Sequence, residues 1–363
     1  MNRLRPAGRS SGLEKLLDKL LGVPFLFVVG HLRFKAQPPA QIQRIALLKA
    51  SAIGDTVLMS GTVLSIKKKY PNAHLTIFVG KSNAAMARLI QEIDAVVEIP
   101  VASPLKAIRQ IRSHAFDVWL DFGTWTRLEA IFSFFSRARF KVGFKSHRQF
   151  RHFAQDASVE HSLKIHESEN YFRLLAPLGQ LDYLLPQLRI PEATNVDIPK
   201  IPFITFHMWA GGTQGEKKKW PQQNWIQLGK NLSERYLLVL SGGPEDRERN
   251  DAFIRESGLG SRAKNIAGLN LLQTAQILKS SQAVVSIDTG VLHICSALNL
   301  PVVGLHGATH SSRWGALSPR SRSLNAGTLE QSPLHFGWEN IPGDPMTKIS
   351  VSQVLAQLRE MGL

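Results

Sequence analysis

From Arg44 onward, short apolar runs alternate with stretches of helical length along this chain. Arg44–Lys49 (RIALLK) and His74–Val79 (HLTIFV) are nearly unbroken in apolar residues, as expected of strands covered on both faces of a parallel sheet. Segments of helical period at 56–69 and 83–91 follow them. Strand-like and helix-like pieces at 96–99, 104–114, 117–121 and 125–135 continue the alternation. The rhythm breaks after residue 181, where Pro186, Pro191, Pro199 and Pro202 leave few periodic apolar positions. It then restarts with strands at Phe203–His207, 236–240, Ala283–Ile287 and 302–305. Helices are predicted at 221–232, 244–256, 271–279 and 290–298, and a last one at 350–359.

The pattern predicts an α/β protein of two Rossmann-like domains. The expected boundaries are an N-terminal extension at 1–43, a first domain at 44–185, a linker at 186–202, a second domain at 203–345 and a C-terminal helix at 346–363. Ligands of such domains sit at the carboxyl ends of strands, so the informative loops are those that follow strands, and a ligand is expected in the cleft between the two halves.

Three strand-to-helix turns carry candidate chemistry. In Ser51-Ala52-Ile53-Gly54-Asp55-Thr56 an acid stands where a helix begins. It reads either as an N-cap, a role for which Asp is among the best residues, or as a general base for an acceptor hydroxyl. In Asp288-Thr289-Gly290-Val291-Leu292-His293 a hydroxyl and a glycine open a helix, which reads either as an anion site made by its backbone N–H groups or as an N-cap with a packed core histidine. His293 follows Thr289 and Gly290 at helical spacing, on their face. The third turn runs from Ala210-Gly211-Gly212-Thr213 to Lys217-Lys218-Lys219-Trp220-Pro221 and delivers lysines beside a tryptophan anchor. It reads as phosphate neutralisation or as a solvated charge run. Ser241-Gly242-Gly243-Pro244-Glu245 is a fourth such turn, with Glu245 in reach of ribose hydroxyls.

Charge narrows the partner. Lys plus Arg is 44 against 28 Asp plus Glu, a formal net charge of +16 and a pI near 10.1, which calls for an anionic partner. Arg137, Arg139, Lys141, Lys145, Arg148 and Arg151 interleave with phenylalanines and contain no acid among them, the composition of a surface for nucleic acid, for a phosphorylated lipid or saccharide at a membrane, or of a solvated basic loop on an apolar hairpin. The run at 20–30 is apolar but too short to span a bilayer, which needs ~20 residues. Its basic flanks suit attachment to an anionic membrane surface, and packing onto the body of the protein is the other reading. The single cysteine, Cys295, reads as buried packing. A G-x-S-x-G match at 8–12 and a glycine pattern at 258–263 lack the flanking elements those motifs need. There is no P-loop and no D-x-D pair, so no cofactor and no metal is expected, and diphosphate charge falls to lysine and helix N-termini.

Taken together, RIALLKASAIGDTVLMSGTVLSIKKKYPNAHLTIFV, KKKWPQQNWIQL, VLSGGPEDRE and SIDTGVLHICSALNLPVVGLHGATHSSRWGALSP resemble glycosyltransferase family 9, the ADP-heptose:lipopolysaccharide heptosyltransferases. The resemblance implies a GT-B fold, two Rossmann-like domains facing a central cleft with the acceptor domain first, and metal-independent inverting transfer. It implies Asp55 as general base, Lys218 at the donor phosphates, Glu245 at the nucleoside, and Asp288, Thr289, Gly290 and His293 as the donor turn. Thr213 belongs to the donor side by its place in the glycine-rich loop. The six basic residues from Arg137 to Arg151 belong to the acceptor side. The chain departs from the family pattern at His207-Met208-Trp209-Ala210-Gly211-Gly212-Thr213, where the family commonly carries His-Pro-Gly or a Thr pair. The implied partners are a sugar nucleotide, ADP-heptose first, a phosphorylated lipid-linked saccharide and an anionic membrane surface, with no nucleic acid. The implied location is the cytoplasmic side of the cytoplasmic membrane. An epimerase or hydrolase of sugar nucleotides on the same scaffold, or a basic nucleic-acid-binding protein, are the rivals.

Overall fold

The computed structural model describes residues 12–32, 34–147, 149–191, 195–211, 215–330 and 343–363. The chain divides into two compact units, Met1–Pro186 and Gln187–Leu363.

In the first unit, helix α1 (Gly12–His31) precedes β1 (Arg44–Lys49), α2 (Ile53–Leu58), α3 (Ser60–Lys69) and β2 (His74–Val79). Then come α4 (Ala84–Ala87), β3 (Ala95–Glu98), α5 (Pro104–Arg112), β4 (Ala115–Asp121) and α6 (Arg127–Phe135). The unit finishes with β5 (Arg137–Lys145), β6 (Ala157–Glu160) and α7 (Glu167–Arg173). The second unit holds β7 (Phe203–His207), α8 (Gln222–Leu232), β8 (Leu237–Ser241), α9 (Arg247–Ser257), β9 (Ala263–Asn265) and α10 (Leu271–Ser280). It continues through β10 (Ala283–Ile287), α11 (Gly290–Ala297), β11 (Val302–His306), α12 (Ser311–Trp314), β12 (Ser321–Asn325) and α13 (Val351–Glu360).

Both sheets are parallel and share one strand order. The first runs β3-β2-β1-β4-β5-β6 and the second β12-β11-β10-β7-β8-β9. Numbered within each unit, this is 3-2-1-4-5-6 twice, the doubly wound Rossmann order. The winding reverses between β1 and β4 in one unit and between β7 and β10 in the other, and loops diverge there to leave a crevice at the carboxyl ends. Burial explains the strands beside that point. Ile45 to Leu48 are fully buried, as are Val284, Val285 and Ile287, because helices cover both faces.

Several predicted elements need correction. The helix expected at 83–91 is the single turn α4. The helix expected from Thr56 begins at Ile53, so Asp55 lies inside its first turn. The basic stretch read as a loop or hairpin is a nine-residue strand, β5, parallel to both neighbours.

Candidate active site

At the end of β1 the chain turns sharply. Ala52 adopts φ 76°, a left-handed value uncommon for a residue with a Cβ and costing of order 1–3 kcal/mol. The turn puts Ala52, not Asp55, at the N-cap of α2 and leaves the Asp55 carboxylate off the helix end. That carboxylate meets Lys49 instead, with Nζ 2.9 Å from Oδ2. The Lys49 side chain is 6% exposed and that of Asp55 28%, so the cation is buried and the acid keeps one side in water. Burial alone would push the Lys49 ammonium down, but the carboxylates of Asp55, Glu129 and Glu167 outweigh it and hold its pKa above the ordinary value. Lys49 is therefore charged at every working pH.

Lys49 is fixed from all sides. Its ammonium donates to Tyr171 Oη at 3.2 Å and to the Phe122 carbonyl at 3.4 Å, and it lies 5.3 Å from the Tyr171 ring centroid. Burial, then the carboxylates of Asp55 and Glu167, push the Tyr171 phenol well above its usual range, so it stays protonated and donates to Asp55. One oxygen of Glu129 accepts the Ala50 N–H at 2.9 Å, and the other accepts the Thr126 hydroxyl at 2.6 Å. Asp121, at the end of β4, accepts from the Gly123 N–H, Ser133, Gln155 and Arg151. A Cβ on Gly123 would sit 2.2 Å from Glu129 Oε2 and 2.6 Å from Arg151 Nη2, so only glycine lets these groups close over the loop.

This geometry redistributes the basic residues assigned to the acceptor. Arg151 is 0% exposed and locked to Asp121 at 2.7 Å, a structural cation rather than a ligand-facing one. Lys141 is buried in mid-strand. Arg137 pairs in register with Ala115 at the amino end of the sheet, the opposite edge from Asp55, and Arg139 lies two residues along, 3.8 Å from Asp117. Lys145 reaches the carboxyl edge with its side chain exposed, 3.5 Å from Glu160, whereas Arg151 ends at that edge buried against Asp121. The four on β5, spaced at ~3.3 Å per residue, form no single patch. Arg148 lies outside the described residues.

In the second unit the Asp288-Thr289-Gly290 turn joins β10 to α11 beside the reversal of the sheet. Thr289 is extended, with φ −147°, and makes no side-chain cap bond, so its half-exposed hydroxyl leaves the first amides of α11 uncapped by it. Asp288 is buried, and its Oδ2 accepts from Lys218 Nζ at 2.8 Å and from Thr309 Oγ1 at 2.7 Å. His293 Nε2 stands 3.9 Å from the other oxygen. Burial alone would raise the Asp288 carboxyl. The charges of Lys218, His306 and His293, with the Lys218 hydrogen bond, instead hold it well below the usual carboxylate range. His306 is itself pushed down to about 4, chiefly by burial, so it adds no charge beside Asp288 at neutral pH.

Of the three lysines, Lys218 comes to the turn. Lys217 donates to the Gly343 carbonyl and Lys219 pairs with Glu216. Trp220 is buried and donates to the Ile349 carbonyl at 2.8 Å, which anchors the loop. Glu245 sits exposed after β8, because Asp246 takes the Gly243 N–H and leaves its neighbour free. Thr213 lies outside the described residues. Cys295 is fully buried, and burial pushes its thiol far up, so it packs rather than reacts.

The sequence reading missed Lys49, Tyr171, Glu129, Glu167 and Asp121 in the first cluster and His306 and Thr309 in the second. Lys49 and Tyr171 carried no local signal. His306 and Thr309 follow one another closely in GLHGATHSSRW, a segment quoted for its resemblance without roles being assigned.

Each unit thus places acids, hydroxyls and a lysine ion-paired to an acid at the carboxyl edge of a Rossmann sheet. Residues 105–335, well over half of the chain, match the model of glycosyltransferase family 9 (heptosyltransferase). Lipopolysaccharide heptosyltransferase 2 of Salmonella typhimurium is 23% identical over 312 residues, covering 77% of this chain and 87% of that protein. The structure of an Escherichia coli ADP-heptose lipopolysaccharide heptosyltransferase II aligns with a TM-score of 0.71 at 20% identity, over 88% of this chain and 98% of that one. The E. coli heptosyltransferase WaaC with ADP aligns at 0.69 and 16% identity, over 88% of this chain and all of that one (100%). At these identities the structural likeness concerns the fold.

Proposed function

This chain belongs to glycosyltransferase family 9, and on that premise we propose that it moves a heptosyl group from ADP-heptose to a lipid-linked saccharide of the lipopolysaccharide core. It is a glycosyltransferase of the GT-B class. The diphosphate of the donor meets the first amides of α11 and the Thr289 hydroxyl, where the helix dipole favours negative charge by about 0.3–1 kcal/mol. Lys218 shifts part of its charge from Asp288 to the phosphates, and His293 lies one turn on. Glu245, exposed after β8, receives the ribose hydroxyls.

Asp55 accepts the proton of the attacking acceptor hydroxyl. The new bond forms between that oxygen and the anomeric carbon, the bond from carbon to the diphosphate oxygen breaks, and ADP departs with the electron pair. Attack from the face opposite the leaving group inverts the configuration. The observation that carries this reading is the Lys49–Asp55 pair: a carboxylate held at 2.9 Å by a buried ammonium, with one side left to solvent. A base must be held in place and reachable, and Asp55 is both. Lys145, at the same edge of the sheet, is the basic residue best placed for an acceptor phosphate. The acceptor being lipid-linked, the protein works attached to the cytoplasmic face of a membrane.

The test has two arms. In a thermal-shift screen, ADP-sugars should stabilise the fold and UDP- and GDP-sugars should not; a ligand at about one hundred times its Kd adds ~2.7 kcal/mol. Product analysis should then show inverted heptosyl transfer to a core saccharide, and release of free sugar alone would make the protein a hydrolase.

A further inference from the structure

Helix α1 joins the first unit by one face only. Leu26 is fully buried, Phe25 packs its ring 5.8 Å from those of Phe134 and Phe135, and Gly22 and Gly30 allow close approach. A Cβ on Gly22 would stand 2.8 Å from Arg127 Cβ, and one on Gly30 would stand 2.6 Å from Phe153 Cβ. Asp18 completes the docking with an ion pair to Arg127 at 2.9 Å.

The opposite face is bare. Leu20 (57% exposed), Leu21 (67%), Phe27 (52%), Val28 (54%) and Leu32 (79%) project outward, and Phe34 just beyond is 99% exposed. At ~100° per residue the helical members occupy one arc, on which His31 is the only polar residue among the described side chains. Phe153 extends it, taking the Phe27 ring edge-on and stacking on the half-exposed Phe150. Cations border its carboxyl end. Lys35 is exposed, and burial followed by the fields of Lys145 and Lys35 lowers the pKa of His152, whose ring stacks on Phe153.

No described helix is long and apolar enough to cross a membrane. A docked helix with bulky apolar side chains on its free face and positive charge at its margin fits the interface of a bilayer instead. Charge selects among occupants. A second copy of a chain carrying +16 would bring like charges together, whereas anionic headgroups attract the exposed lysines.

We infer that the outward face of α1, with Phe34, inserts into the headgroup–acyl boundary of an anionic bilayer. The inference rests on the membrane attachment proposed above and names the surface that makes it. A face already fixed to the enzyme's body orients that body on the membrane, which a flexible tether would not do.

Co-sedimentation of the full chain with vesicles tests it, using phosphatidylcholine alone and with phosphatidylglycerol added. Wild type should bind the anionic vesicles more tightly, and salt should weaken the binding. The triple variant Leu21→Ser, Phe27→Ser, Leu32→Ser should lose about tenfold or more in vesicle affinity. Its melting temperature and its transfer to a water-soluble, delipidated acceptor should be unchanged. Triple-variant binding equal to wild type would remove this face as the attachment surface while leaving attachment itself intact. Wild type that binds neither vesicle would overturn the attachment reading too. Wild type that is dimeric where the triple variant is monomeric would assign the face to a second copy.

Discussion

Three residues before Asp55 the backbone of Ala52 enters the left-handed region, and that one dihedral decides what Asp55 does. With a relaxed turn the acid would stand at the helix start and spend its oxygens on backbone N–H groups, as local preference expects. The turn instead carries it to Lys49 and Tyr171. Local sequence could not show this, because a lysine at a strand end can reach for water or fold inward. What turns Lys49 inward is Tyr171, 122 residues away. Lys49→Met should lower kcat by roughly ten- to hundredfold with donor KM unchanged, the loss expected when a charged hydrogen bond of about 1.5–3 kcal/mol leaves the base. Steady-state kinetics on that variant would show it, and an unchanged kcat would mean that Tyr171 positions Asp55 without help.

Elements were legible where burial is uniform. β1, β2, β7 and β10 lie inside their sheets, covered on both faces, and their apolar runs mark their ends well. β9 and β12 are edge strands reading AKN and SRSLN, with neither the length nor the apolar content that marks a strand. β5 alternates basic and apolar residues, so charge obscured its period. The run at 20–30 pointed to α1, but its docking depends on distant residues. Thr126 precedes α6 without a side-chain cap bond, and Asp18 of α1 supplies that acceptor, binding the N–H groups of Arg127 and Leu128 at 2.9 and 3.0 Å. Asp18→Ala should cost ~1–2 kcal/mol in urea melts and quicken proteolysis near α1, since it removes a cap and an ion pair together. Unaltered stability would mean that apolar packing alone holds the helix.

Across the molecule the same Rossmann order occurs twice, and each copy keeps its chemistry beside the reversal of its sheet. The second unit also fixes how stability responds to acid. His207 and His306 are buried, and burial lowers both to about 4 from the ordinary histidine value of about 6.5. Between those values the unfolded chain binds protons that the folded one refuses, so stability rises with pH through the window and falls as pH drops from about 6.5 towards 4. Urea melts at pH 7 and pH 5 should show the protein less stable at pH 5; equal stability would mean that these imidazoles are charged or solvated in the folded state. Asp288, held below its usual range, adds a further loss only below about pH 4. Single-turnover transfer by Asp55→Asn, paired with calorimetric donor binding, addresses catalysis most directly. The variant should transfer about 10²–10⁴-fold more slowly while binding ADP-heptose as tightly as wild type. A variant that transfers at the wild-type rate would contradict the assignment of Asp55 as the base.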